Sequence, residues 1–453
     1  MGKKKNRKFM KLKYGLTLLT LALVGLVRAQ STELSLTDCL NYGLEHSPYM
    51  TISENEMEMF EYNKRDAYGP YLPQINGSAG MDYNAKLPVT VIPAGSFAPT
   101  EIRMKMGSPH ANNAVVQLEQ KIYDQTVIIG IKGIKDLKVL HELNSEKIVE
   151  DFIYNLSIAY YQVLVVDQQL KLLEENEAKY TELERILKLQ LEKGVIKQVD
   201  YNRVKVAYNN ILSQLSLVKA SKKVTINNLK VIMGMPLDDD LKIIEQQQIV
   251  EKLTLPADAQ IDVTNRLDYK VNEQTLKLQQ LNTRVMKYSF LPTISGYARY
   301  GANSYSDNFK DSFKDFYDFA SIGLKLTVPI FNGLKSNTAY NKQRIQTLNL
   351  EIQNKIMSES YKVEYLNSRT KLQEAFTSYQ NNKENLELAK DVYDVTSLSY
   401  QTGASPLSDF LNADYAYKEA QNNYVTSMIN FLSSRLNFEK SKGNLSNYLN
   451  LSK

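Results

Sequence analysis

The chain has 453 residues with 19 Gly, 12 Pro, 30 Tyr, no Trp and one Cys, a formal net charge of +5 and a mean hydropathy of −0.37. That hydropathy excludes a multi-pass helical membrane protein, and a single cysteine excludes an intrachain disulfide framework or a cysteine-built zinc site. Eight Lys and Arg fall in the first 29 residues, so the remainder of the chain carries −3 and gives no reason to expect nucleic acid as a partner.

Residues 1–29 read as a secretory signal peptide: a basic start, an apolar run from Tyr14 to Val27, and Val27-Arg28-Ala29 before the cut. The run is short for a membrane span, and a retained anchor is the bland alternative. A helix is expected from Ser35 to Tyr68, with Ser35 as N-cap and Asp38 three residues on. Cys39 lies inside it as a small buried hydrophobe. Its place shortly after the cut leaves a lipid-modified N-terminus as the other reading.

Four segments then alternate with period 2, at about residues 72–84, 114–123, 291–303 and 320–331. Ile75, Gly77, Ala79, Met81 and Tyr83 share one parity, while Gln74, Asn76, Ser78, Gly80 and Asp82 share the other. Ile294, Ala298 and Tyr300 repeat the pattern, as do Ala320, Ile322, Leu324, Leu326, Val328 and Ile330. Such alternation is that of an outer-membrane strand, apolar to lipid and polar to lumen, with an ordinary half-buried sheet as the bland alternative. A closed membrane barrel needs about eight strands, so four per chain would have to be completed by other copies. Residues 85–112 and 304–319 are expected to be connecting loops.

Between Gly133 and Gly194 lie 60 residues without Gly or Pro, and between Gly333 and Gly403 lie 69. Uninterrupted helices of that length would run roughly 90 to 100 Å. Ile148, Phe152, Leu156, Ala159, Val163 and Leu170 form a narrow apolar seam in the first; Leu386, Ala389, Tyr393, Thr396 and Tyr400 form one in the second. Seams of this kind call for partner helices in coiled-coil fashion. Returning helices are expected at Val199 to Lys230 and Pro406 to Lys442, the second with Gly403 as left-handed cap, Ser405 as N-cap and Pro406 at the first helical position. Another is expected from Val263 to Tyr288, after a joint opened by Gly234-Met-Pro236.

The halves correspond. Gly194, Asp200, Ala207 and Tyr208 match Gly403, Asp409, Ala416 and Tyr417 at a spacing of 209, and Gln117–Asp124 matches Lys325–Asn332 at a spacing of 208. A duplication this long gives each half the order helix, strand, strand, long helical hairpin. The expected organisation is thus a signal peptide at 1–29, a first repeat at 30–233, a joint at 234–262, a second repeat at 263–443 and a tail at 444–453.

Enzyme chemistry finds little support. His46, His110 and His141 have no second ligand at metal spacing, the carboxylates between Lys171 and Lys193 alternate with lysines as on a solvated helix face, and no Gly-rich loop precedes a Lys-Ser/Thr pair. No catalytic residue, metal site or cofactor is expected.

The whole pattern resembles the TolC family of outer-membrane efflux proteins. Its carriers are Leu36-Thr-Asp-Cys-Leu40 with Leu44-Glu-His-Ser-Pro48, Tyr71-Leu-Pro73 and Phe290-Leu-Pro292 at the strand entries, Pro329-Ile-Phe-Asn-Gly333, Met233-Gly-Met-Pro-Leu237 and the paired Gly…Asp tips. The resemblance implies a mixed α and β membrane protein: long coiled-coil hairpins plus four strands per chain in a twelve-stranded barrel shared by a homotrimer, set in membrane lipid at the outer membrane of a Gram-negative bacterium. It implies a passive exit duct for efflux or type I secretion, joined by a periplasmic adaptor (membrane fusion) protein to an inner-membrane pump of RND or ABC type. It further implies adaptor contact at the turns of Gly194 and Gly403 and a periplasmic gate involving Asp200, Tyr400, Ser405, Asp409 and Asn412. Ser405 stands where a member of the family has an arginine, and Asn412 where that member has the second of two acids; Asp409 matches the first and would form a three-fold carboxylate ring. The bland reading of Asp200 and Asp409 is that they favour a helix N-terminus. A secreted or periplasmic coiled-coil scaffold or adhesin without a pore is the other function weighed; it accounts for the helices and not for the alternating segments.

Overall fold

A computed structural model describes residues 33–95, 99–244 and 262–449. The expected signal peptide, residues 245–261 of the joint and 450–453 of the tail lie outside the described residues. After β1 (Glu33–Leu34), α1 (Leu36–His46) opens on a capping box: Asp38 N donates to Ser35 Oγ at 3.2 Å and Ser35 N to the Asp38 carboxylate at 3.0 Å. The single helix expected from Ser35 to Tyr68 is two. Pro48 disfavours helical backbone at Ser47, which takes ψ 136°, so α1 stops and α2 (Pro48–Tyr68) begins afresh.

The chain continues through β2 (Gln74–Tyr83), β3 (Val89–Ile92), β4 (Ile102–Lys105), β5 (His110–Tyr123), α3 (Gln125–Lys132), α4 (Ile134–Glu192), α5 (Gln198–Met233) and β6 (Lys242–Ile243). Then come α6 (Leu267–Tyr288), β7 (Thr293–Ser306), β8 (Tyr317–Thr327), α7 (Lys335–Gln401), α8 (Leu407–Lys442) and α9 (Leu445–Tyr448). The breaker-free stretches are helices of 59 and 67 residues.

Several boundaries differ from expectation. β8 ends at Thr327, leaving Val328 and Ile330 outside the strand, because Pro329 has no N–H to give a ladder. β5 starts at His110, held there by pairing with Tyr83, and the expected loop before it contains its own hairpin of β3 and β4, in which Thr90 opposes Met104. α6 starts four residues later than Val263.

β2, β5, β7 and β8 form one antiparallel sheet in that order. Its register adds what alternation within single strands does not give, because each parity lines up across the sheet. Ile75, Leu118, Ala298 and Ile322 make one cross-strand row, while the neighbouring row of opposite parity is Asn76, Gln117, Arg299 and Ser321. One face is therefore apolar and the other polar over all four strands. The apolar face is bare: Ile322 is 88% and Leu324 74% exposed.

Two compact units divide the chain. One takes residues up to Glu54, Ser145–Tyr269 and Met357 onward. Its main core buries Leu40, Phe152, Leu156, Tyr160, Leu229, Met233, Phe431 and Leu436. α1 is seated against this core by Gly43, where a Cβ would come 2.5 Å from the Phe152 ring, and by Ser47 Oγ donating to Ile232 O at 2.7 Å. Cys39 is fully buried and its thiol is pushed up to about 12 by burial.

The other unit takes Asn55–Asn144 and Lys270–Ile356 and contains the four-stranded sheet. Beside it Phe60, Ile129 and His141 are buried, His141 Nδ1 lying 2.8 Å from Glu56 Oε1 and Nε2 3.3 Å from Asn63 Nδ2. His141 thus has a structural role between α2 and α4. Among the described residues no helix is long and apolar enough to cross a membrane, and no group of three His, Cys, Asp or Glu is placed to hold a metal.

Leu156→Ala empties a fully buried site and is expected to lower stability by roughly 2–5 kcal/mol, whereas Lys188→Ala on the exposed face of α4 stays within about 0.5 kcal/mol. Thermal unfolding followed by helical circular dichroism separates the two; equal melting would remove Leu156 from the core that holds the helices.

Candidate functional site at the hairpin tips

Both helical hairpins turn the same way. Gly194 and Gly403 take φ of +69° and +76°, a region that favours glycine because it has no Cβ. Behind them Val195 N donates to Gln190 O at 2.8 Å and Ala404 N to Ser399 O at 2.7 Å, so each glycine closes its long helix with the same reversal.

The returning helices begin on Lys197 and Pro406, neither giving a side-chain cap. The N-cap expected at Ser405 is instead Pro406, in extended conformation with φ −74° and ψ 158°. Ser405 is left one residue too early; its Oγ is buried and finds no partner among the described residues. Asp200 and Asp409 then occupy equivalent places in the first turn, where carboxylates complement free backbone N–H groups.

Of the expected gate residues, the fold brings Asp200 and Tyr400 together. The Tyr400 phenol is raised above its ordinary value, first by burial and then by the neighbouring Asp200 carboxylate, and its ring stacks on Phe410 at 5.6 Å. Asp409 is exposed and Asn412 is too, three residues on along α8, while Phe410 between them is fully buried.

Behind the turns, α4, α5, α7 and α8 share a second core of Tyr180, Leu183, Leu187, Val204, Ile211, Tyr393, Phe410 and Tyr417. A polar connection crosses it that sequence reading missed. Tyr180 Oη donates to Asp414 Oδ2 at 2.5 Å; Lys418 Nζ donates to the same oxygen at 2.8 Å and lies 4.2 Å over the Tyr180 ring. Burial, then the Asp414 charge, push the Tyr180 phenol far above its usual range. Further along, Asn176 Nδ2 donates to Gln421 Oε1 at 2.7 Å, and Lys179 lies 4.6 Å over Tyr393. Across the first hairpin, Glu184 accepts from Tyr201 at 2.7 Å and Lys205 at 3.1 Å, which hold its carboxyl below the ordinary range.

A signal for Asp414 was present. Phe410, Asp414, Tyr417, Gln421, Val425 and Met428 are all buried at steps of three and four, so Asp414 is a charge set in an apolar seam. A polar residue at such a place fixes register between helices. Tyr180, its partner 234 positions away, gives no comparable local sign.

Residues 263–444 match the family described as outer membrane efflux protein. No curated protein sequence matches the chain. Among solved structures it is similar to the CmeC outer membrane channel of Campylobacter jejuni, with 17% identity, TM-score 0.69, and coverage of 90% of this chain and 86% of that one. It is similar to the outer membrane protein VceC of Vibrio cholerae at 13% identity and TM-score 0.67, covering 90% and 96%. It is likewise similar to the open state of the MtrE outer membrane channel of Neisseria gonorrhoeae at 13% identity and TM-score 0.70, covering 90% and 89%. These likenesses establish the fold, and with the family match they bear out the resemblance drawn from the sequence.

Asp414→Ala strands the buried Tyr180 hydroxyl and the Lys418 ammonium together, and is expected to cost about 1–3 kcal/mol. Tyr180→Phe keeps the Lys418 pair and should cost less. Thermal melts of both variants measure the difference; an Asp414→Ala protein that melts with the parent would show that the connection carries no stability.

Proposed function

We propose, from the match of residues 263–444 to the outer membrane efflux protein family and from the fold of the described chain, that the protein is the passive exit duct of a tripartite efflux or type I secretion system. The observation that carries this is the sheet register. It gives a largely apolar face that, among the described residues, carries no helix or second sheet, and it leaves β2 and β8 as outer strands with no further strand paired to them. Edges of that kind are intolerable in lipid unless another strand pairs with them. Three copies would pair β2 of one with β8 of the next and pool twelve strands, within the range of closed outer-membrane barrels.

In this reading the apolar face meets lipid of a Gram-negative outer membrane, the polar face lines the lumen, and the helical hairpins continue the duct into the periplasm. The turns at Gly194 and Gly403 face a periplasmic adaptor, and an inner-membrane pump of RND or ABC type supplies the energy. Asp200 with Tyr400, together with Asp409 and Asn412, belong to the periplasmic gate. With serine at 405 the charge-assisted contact that an arginine there would make is missing, which makes this gate easier to open or leaves it to other contacts. Three exposed Asp409 carboxylates around the axis make a cation-attracting ring, with Asn412 adding no charge beside it. Transport of this kind asks no residue for bond chemistry.

The purified mature chain should need detergent, remain with the outer-membrane fraction after salt and carbonate washing, and give cross-linked species that stop at three. A monomer soluble without detergent would overturn the duct. In planar bilayers Asp409→Ala should lower cation selectivity and alter single-channel conductance; an unchanged channel on both counts would discard the carboxylate ring while leaving the duct standing.

A further inference from the structure

The connection between β7 and β8 does not stand clear of the sheet. Its short turn Asp311–Phe313 folds back over the apolar face at the end of β5 and β7. Asn112 and Ser304, opposite each other in the register, share the parity of Leu118 and Ala298, so they extend that apolar face with polar side chains. Both are buried beneath the turn: Asn112 Nδ2 donates to Ser312 O at 2.7 Å and to Ser312 Oγ at 3.1 Å, and Ser304 and Ser312 are fully covered. Beside this anchor Phe309 packs on His110 at 5.8 Å and on Phe313 at 5.5 Å, while His110 packs on Tyr83 at 5.0 Å.

This arrangement exchanges one surface for another. Two polar side chains are withdrawn from the apolar face, Asn112 Nδ2 bonded to Ser312 while Asn112 Oδ1 and Ser304 Oγ meet no partner among the described residues, and Phe309 and Phe313 lie outside them, each about half exposed at 52% and 53%. Large apolar rings held half exposed beside the bare apolar face, in a turn whose charges nearly balance (Asp307, Asp311 and Asp315 against Lys310 and Lys314, with Lys314 Nζ 2.7 Å from Asp311 Oδ1), have the amphipathic composition of an interfacial segment. We propose that the turn 307–316 is a lipid-docking element whose Phe309 and Phe313 enter the boundary between headgroups and acyl chains. The occupant is a lipid surface, and the proposal rests on the lipid-facing reading of the sheet given above.

Because the chain has no Trp, single substitutions report cleanly. Phe313→Trp, Ile322→Trp on the apolar face and Tyr317→Trp on the polar face are reconstituted as full-length protein in phosphatidylcholine vesicles, with bromine placed either near the head or near the methyl end of the acyl chains. Emission of Phe313→Trp should fall about two-fold or more with head-proximal bromine and less with the deep label, Ile322→Trp should be quenched chiefly by the deep label, and Tyr317→Trp by neither. Quenching of Ile322→Trp without quenching of Phe313→Trp overturns the docking element alone. Absence of quenching at Ile322→Trp overturns the barrel reading and this proposal with it. Phe309→Trp, read in the same vesicles, supplies a second report from the turn should Phe313→Trp fail to assemble.

Discussion

A backbone edge that must be paired is the constraint on which the structure depends. The four-stranded sheet pairs its inner strands with a single irregularity between Lys121 and Tyr123, and among the described residues its two outer strands are open and its apolar face has no helix or second sheet laid across it. In water such a sheet would need a covering layer, and in lipid it would need closure. The proposed function supplies closure with copies of the same chain, and so ties an oligomeric duct to a hydrogen-bonding requirement rather than to any one side chain.

The helical part answers a different demand. Helices of 59 and 67 residues with narrow seams gain little from intrinsic propensity and take their stability from packing against one another. Where α4, α5, α7 and α8 meet behind the turns, the core is mostly tyrosine and leucine, and polar links cross it at Asp414, Asn176 and Glu184. Apolar seams alone tolerate sliding by a heptad. A buried carboxylate that must find both a phenol and an ammonium does not, so the Asp414 and Asn176 links hold the register between the two hairpins, while Glu184 ties the two arms of the first.

The candidate site was partly legible. Gly194 and Gly403 announce left-handed turns because backbone sterics at a helix end are local, and Asp200 and Asp409 announce helix starts for the same reason. The capping of the second hairpin departs from its local signals. Ser405-Pro406 carries two valid start signals, and proline in extended conformation took the cap, which left the serine hydroxyl buried and idle. The break at Ser47-Pro48 was likewise open to the rule that a residue before proline avoids helical backbone, and the helical pattern on either side concealed it.

By itself, the sequence determined the order of elements, the lengths of the long helices, the alternation within strands and the glycines at the turns, because each follows from sterics and periodicity over a few neighbouring residues. Only tertiary structure decided that the four alternations fall into register on one common face, that Tyr180 and Lys418 converge on Asp414, and that the turn after β7 folds over Asn112 and Ser304. Those arrangements depend on segments tens to hundreds of positions apart. Their energies arise only when distant segments are brought together and shielded from water, and no local pattern encodes which partner will be there.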